Sequence, residues 1–394
     1  MIKLNRRDLL AGTSAAVLLG AMPARARAST EAGEIVIGGS MPLTGVFAFA
    51  GEGITAGFTD YVAYVNQNGG IEGRKVRLVY EDTGYQVDNS VAVFNRLNAS
   101  NKISLYYGDS TAFARTINPE LNRMGTILQA GASFASEIND PVKFPNQFIA
   151  GPDYTEMTSI LLEYIAATTP GARVLLINSD SEFGRDPIAG TVARAGELGL
   201  KIVEQIITPP GSVDVSTEIV KMRRARPDYA IVHGYVFAPI PEFITQAREL
   251  GLETQFMGTF WSMDNALWAS VGAAADGFMG VMPYNYWFDE IGGPLLEHLH
   301  GLHSDYQGIA YMQGVASCML MLEAVRRTLA AGEDLTGANM KRHLDTIRDF
   351  DTGGIIGVPV SIHGNTMPVG RIYRYDAKAA KMKPVSDWIN VAEK

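Results

Sequence analysis

The chain has 394 residues, 47% of them hydrophobic, enough to bury two sizeable cores. A formal net charge of −9 and the lack of any basic stripe argue against a nucleic-acid partner. The single cysteine, Cys318, excludes an intrachain disulfide, and its place in an apolar helical run reads as packing.

In chain order, Met1–Ala28 reads as an export signal. Lys3, Arg6 and Arg7 give a basic start, and the apolar run Leu9–Met22 is too short to span a bilayer. Small residues at Ala26 and Ala28 suit cleavage, with a mature start near Ser29. NRRDLL (Asn5–Leu10) resembles a twin-arginine motif with Asn where Ser or Thr is usual; an ordinary Sec signal is the alternative. No cysteine follows the apolar run, so a lipoprotein anchor is not expected and the periplasm is the expected location.

Residues 34–82 form the first recognisable unit. Ile35–Gly39 reads as a buried strand ending at a turn. Ile54, Phe58, Tyr61, Val62 and Val65 recur at helical spacing, and Asn68-Gly69-Gly70 ends that helix. Val76, Leu78 and Tyr80 alternate with Arg77, Val79 and Glu81 as a second strand. The unit is βαβ, so a parallel sheet is expected, with ligand loops at the strands' C-terminal ends.

A helix over Val91–Leu97 follows, with Asp88 as its expected cap. Strand Ile103–Tyr107 ends in Gly108-Asp109-Ser110-Thr111, then helix Asn118–Arg123 and strand Thr126–Gln129 lead to Gly131-Ala132-Ser133. Both hydroxyl-bearing turns suit an anion, or else simply cap the next helix. Phe148–Asp153 looks like a crossover to a second lobe. There, strand Arg173–Asn178 precedes SDSEFGRD (Ser179–Asp186), followed by helix Pro187–Leu198, strand Lys201–Ile207 and helix Val215–Arg224. Strand Asp228–His233 ends at Gly234-Tyr235, and helix Pro241–Leu250 leads to Gln255–Gly258 and Thr259-Phe260-Trp261. Gly277–Met282 is expected to begin a return to the first lobe, and Tyr311–Leu329 reads as a long apolar helix. Asp349–Gly357 reads as a last crossover, with Val358–Ile362 and Arg371–Tyr375 as a terminal hairpin.

Motifs for chemistry are missing. The Gly51–Gly57 cluster does not fit the dinucleotide fingerprint, no P-loop exists, and Ser133 lies in GASFA rather than G-x-S-x-G. Glu297, His300 and His303, with His298 beside them, lack the H-E-x-x-H spacing and read as a solvated helix face. Tyr284, Tyr286, Trp287 and Phe288 read as packing or lobe surface.

Three stretches carry a resemblance: IGGSMPLTG (Ile37–Gly45), NQNGGIEGRKVRLVYED (Asn66–Asp82) and QARELGLETQFMG (Gln246–Gly258). In this order they resemble the Leu/Ile/Val-binding family of periplasmic solute receptors, with matching blocks over nearly all of the mature chain. The resemblance implies an α/β fold of two Rossmann-like lobes with parallel sheets, joined by three crossovers. The lobes would be residues 29–151 with 278–349, and 152–277 with 350–394. It also implies a small-molecule ligand, an inner-membrane ABC permease as partner, no cofactor and no enzymatic activity.

Carried over position by position, Ser110, Thr111, Ala132 and Ser133 would hold a ligand carboxylate, and Phe183, Tyr235, Phe260 and Trp261 would close over its body. Phe260 stands where amino-acid receptors of the family place a carboxylate for the ligand ammonium. A buried ammonium needs a paired charge, which only a neighbouring Asp180, Glu182 or Asp264 could supply. An apolar or aromatic carboxylate is therefore the expected ligand. A branched-chain amino-acid receptor, a sensory binding module and a secreted hydrolase are the alternatives.

Overall fold

The computed structural model describes residues 33–290 and 292–392, so the expected export signal lies outside the described residues. The first lobe opens β1 (Ile35–Met41), α1 (Ala48–Gln67), β2 (Val76–Asp82), α2 (Val87–Ser100), β3 (Leu105–Gly108), α3 (Thr111–Met124) and β4 (Leu128–Gly131). The strands lie in the order β2-β1-β3-β4, all parallel. Alternation along β1 serves two cores: Ile35 and Ile37 face one, while Val36 joins Phe94, Phe113 and Ile117 in the other. A strand covered by helices on both faces must be apolar at successive positions, and β1 is.

The second lobe contains α4 (Tyr154–Thr168), β5 (Arg173–Ser179), α5 (Glu182–Arg185), α6 (Ile188–Glu197), β6 (Lys201–Thr208) and α7 (Ser216–Ala225). It continues with β7 (Tyr229–His233), α8 (Ile240–Glu249), β8 (Gln255–Gly258), α9 (Asn265–Val271) and β9 (Met279–Met282). The chain then returns to the first lobe for α10 (Pro294–Leu302), α11 (Ile309–Ala330) and α12 (Gly337–Leu344), α11 packing along α1. It finishes on β10 (Val369–Asp376), β11 (Lys381–Pro384) and the short β12 (Ile389–Asn390).

In the second sheet β6, β5, β7, β8 and β9 run parallel in that order, and β10 and β11 add antiparallel at the β9 edge. The chain reverses its direction of travel across the sheet at β1 in one lobe and β5 in the other. Open α/β sheets leave a crevice outside the strand ends at such points.

Three segments cross between the lobes and are bonded side by side. The Ile149 N–H donates to the Asn365 carbonyl (2.7 Å), Met367 N–H to Gly151 (2.9 Å), and Asn285 N–H to Ile355 (2.9 Å).

Several expectations need correction. Strand β9 pairs with β8 and β10, so the return to the first lobe follows Met282 rather than beginning at residue 278. Apolar β9 residues satisfy either core, and the pattern does not say which. The terminal hairpin is β10–β11; Val360 makes only an isolated bridge to Phe350. Asp88 lies inside the first turn of α2 rather than at its cap. Helix α3 starts at Thr111, seven residues before the expected Asn118, and carries Pro119 in its interior. Pro suits the first turn of a helix, which misplaced the start.

Candidate functional site

The loops at the crevice begin with the end of β3. Ser110 is extended (φ −156°, ψ 161°), and its hydroxyl accepts the Phe113 N–H at 3.1 Å, capping α3. The N–H groups of Thr111 and Ala112, first in the helix, have no carbonyl within it to meet. The helix dipole adds partial positive charge there. After β4, the Ser133 hydroxyl lies 2.9 Å from that of Thr111 and accepts the Ala135 N–H at 3.1 Å.

Opposite them, the Ser181 hydroxyl accepts the Gly184 N–H at 3.0 Å and fixes the turn that carries Phe183. Gly184 and Gly234 bring two loops into backbone contact. A methyl group at Gly184 would sit 2.2 Å from the Ser179 carbonyl oxygen, and one at Gly234 (φ +86°) would sit 2.5 Å from the Gly184 Cα. Glycine alone fits such an approach. Between these loops, buried His233 bridges the Phe183 carbonyl (Nε2, 2.9 Å) and the Thr259 hydroxyl (Nδ1, 2.8 Å). A carbonyl only accepts, so Nε2 carries the proton and Nδ1 accepts from Thr259. Burial holds this imidazole down to about 4 from its ordinary 6.5.

A cavity of about 450 Å³ lies between the lobes. Its first-lobe wall includes Phe47, Tyr85, Ser110 and Thr111; its second-lobe wall includes Phe183, Tyr235, Val236 and Phe237. Glu182 is the one charged residue lining it among the described residues, and its carboxylate is 3.1 Å from the Arg115 guanidinium. A much smaller space, about 10 Å³, adjoins Asp109, Thr111, Ser133, Tyr154 and Trp261. That is about the room one water needs. Phe47 and Tyr85 border both spaces, their rings stacked at 4.3 Å, and Phe47 meets the edge of Trp261 across the lobes at 5.4 Å. The Asp109 carboxyl is buried. Its Oδ2 accepts from Ser90 (2.7 Å) and Thr83, its Oδ1 has no partner, and burial pushes its pKa up.

Of the residues expected from sequence, Ser110, Thr111 and Phe183 line both spaces, Ala132, Ser133 and Trp261 the small one, and Tyr235 the large one. Tyr235 also bonds the Thr208 hydroxyl at 2.7 Å. Phe260 lines neither. Its ring is fully buried against Phe134 (5.3 Å) and Tyr284 (5.6 Å), because the short turn Phe260–Ser262 directs Phe260 inward and Trp261 toward the small space.

Of the carboxylates considered as substitutes, Glu182 lines the cavity and pairs with Arg115, and the other two are engaged elsewhere. Asp264 accepts the N–H groups of Ala266 and Ile309, and Asp180 pairs with Arg185. His300 on α10 meets the Trp287 carbonyl at 2.9 Å, His303 just past that helix meets Asp60 at 2.6 Å, and no metal-type cluster exists among the described residues.

Sequence reasoning missed Phe47, Tyr85, Tyr154 and His233. The first two lie in strand-end loops after β1 and β2. Tyr154 had a signal: Asp153 and Glu156 form a reciprocal capping box, which makes Tyr154 the first residue of α4.

Residues 34–381 match the family model described as periplasmic binding protein. The chain belongs to that family. Its curated relatives include Leu/Ile/Val-binding proteins, and the family's members are solute-binding proteins. It is similar to the Leu/Ile/Val-binding protein of Escherichia coli K12, 24% identical over 275 residues that cover 68% of this chain and 72% of that one. A Thermus thermophilus branched-chain amino-acid ABC transporter protein with bound valine superposes with a TM-score of 0.82 at 23% identity, covering 91% of this chain and 97% of that one. A Rhodopseudomonas palustris BisB5 solute-binding protein in complex with 3,4-dihydroxybenzoic acid gives 0.71 at 20% identity, covering 86% and 93%. These likenesses give the two-lobed fold of the type I periplasmic binding proteins.

Proposed function

We propose that this protein captures an apolar or aromatic carboxylate between its lobes and passes it to an inner-membrane ABC permease. The observation that carries this reading is the Thr111 hydroxyl at the N-terminus of α3, paired with that of Ser133 after β4, beside a cavity walled mostly by rings and aliphatic groups, with the Glu182 carboxylate turned to Arg115. Unpaired helix N–H groups and hydroxyls hold a carboxylate without a cationic side chain. The remaining wall suits a body that needs no hydrogen bonds. Residues Ser110, Thr111, Ala132 and Ser133 form the grip in this reading, and Phe47, Tyr85, Phe183, Tyr235 and Trp261 form the walls. Export to the periplasm through the signal at Met1–Ala28 is part of the proposal.

One observation favours a second reading, a branched-chain amino-acid receptor. The unpartnered Oδ1 of Asp109 belongs to a residue lining the small space and could receive an ammonium. A thermal-shift panel on mature protein, refolded to strip carried-over ligand, separates the two. A ligand at about 100 times its Kd stabilises the folded state by about 2.7 kcal/mol, or several degrees in Tm at about 2–4 °C per kcal/mol. Shifts with benzoate, hydroxybenzoates or medium-chain fatty acids support the first reading. Shifts confined to leucine, isoleucine and valine replace it with the second.

A further inference from the structure

Tyr154 opens the second lobe directly after the first crossover, and its side chain borders the small space. Its ring is 2% exposed and is fixed between Phe183 (4.9 Å), His233 (4.7 Å) and Phe134 (5.9 Å). Its hydroxyl oxygen accepts the Trp261 indole N–H at 3.3 Å. An indole N–H can only donate, so that bond uses a lone pair of the phenol and leaves its proton unspent. Among the described residues no acceptor is bonded to that proton. A buried O–H without a partner is costly. Across the same space stand the hydroxyls of Thr111 and Ser133, contributed by the other lobe.

We infer that the Tyr154 O–H donates to the ligand's carboxylate from the second lobe, completing the grip that Thr111 and Ser133 begin in the first. The inference rests on the carboxylate reading above. It gives the anion bonds to both lobes, so that capture favours the closed arrangement by the difference in contacts between the two states. Burial keeps the phenol protonated, well above its ordinary range, so it remains a donor at any pH the cell meets. Asp109, the carboxyl that shares the space, opposes an anion only when ionised, and its burial works against ionisation.

The test uses benzoate and octanoate against benzamide and octanamide, by titration calorimetry on mature protein. Tyr154→Phe keeps the ring packing and removes the donor. Affinity for the acids should fall about 10- to 150-fold, the loss expected for a hydrogen bond to a charged group. The neutral amides should lose several-fold less, because a charge-assisted bond is roughly twice as strong as a neutral one. Replacing Tyr154 by 3-fluorotyrosine, a stronger donor of similar volume, should tighten binding of the acids. Equal losses for acid and amide, or no loss, would overturn the inference while leaving the carboxylate reading intact. So would unchanged or weaker binding by the fluorinated protein, which decides the matter if Tyr154→Phe does not fold. If the wild type binds neither acid, the carboxylate reading itself fails and this inference falls with it.

Discussion

The Arg115 guanidinium on α3 lies 3.4 Å from the Asp186 carboxylate at the end of α5, so an ion pair joins the two lobes beside the cavity mouth. Asp186 also accepts from the N–H (2.8 Å) and hydroxyl (2.7 Å) of Ser136 in the first lobe. Arg115 additionally reaches Glu182 of the second lobe at 3.1 Å. These bonds exist only while the lobes are together, so they favour closure. Arg115 is a third exposed, which limits their strength.

Arg115→Gln should therefore weaken ligand binding by about 1 kcal/mol, or roughly 5-fold. The same change should enlarge the radius of gyration of the ligand-free protein in X-ray scattering. Unchanged affinity together with superimposable scattering curves would show that closure does not depend on this pair.

Phe260 belongs to the core between the lobes rather than to the ligand wall. Phe260→Glu should not create a leucine receptor; it should bury an unpaired carboxylate at a cost of several kcal/mol. Phe260→Ala should destabilise by about 3–5 kcal/mol through the cavity it leaves. Urea denaturation read by tryptophan emission measures both. A stable Phe260→Glu that binds leucine would restore Phe260 to the site.

Gly184→Ala forces a methyl group against the Ser179 carbonyl, and no flexible side-chain end can give way there. A loss of at least about 1–3 kcal/mol is expected, together with weaker binding, because the displaced turn carries Phe183. Wild-type stability in Gly184→Ala would mean the β5 loop has room that the geometry denies.

His233 should make stability fall in mild acid. Its folded-state value of about 4 is below the 6.5 of an ordinary imidazole, so the unfolded chain binds the extra proton between those two values. The contribution is complete above about pH 6.5 and is lost progressively down to about pH 4, roughly 3 kcal/mol in all. Asp153 and Glu156, raised by burial, act in the opposite direction and partly mask the effect. The measurement is the stability of wild type minus that of His233→Gln across this range. A flat difference would mean that the imidazole is not held neutral.

Alternating apolar residues and the turns after them placed the parallel strands, and Ser110, Thr111 and Ser133 could be picked out because ligands meet strand ends in such sheets. These features are local: a strand's period and a helix cap depend on neighbours in the chain. Which of two adjacent rings faces the cavity was not local. Phe260 and Trp261 are both aromatic and both buried, and only the turn between β8 and α9 sends one to the core and the other to the small space between the lobes. Nor could sequence assign β9 to its sheet, since burial in either lobe selects the same apolar side chains. Tyr154 shows the same limit. Its proton became informative only when Trp261, 107 residues away in the chain, was seen to occupy the other side of its oxygen.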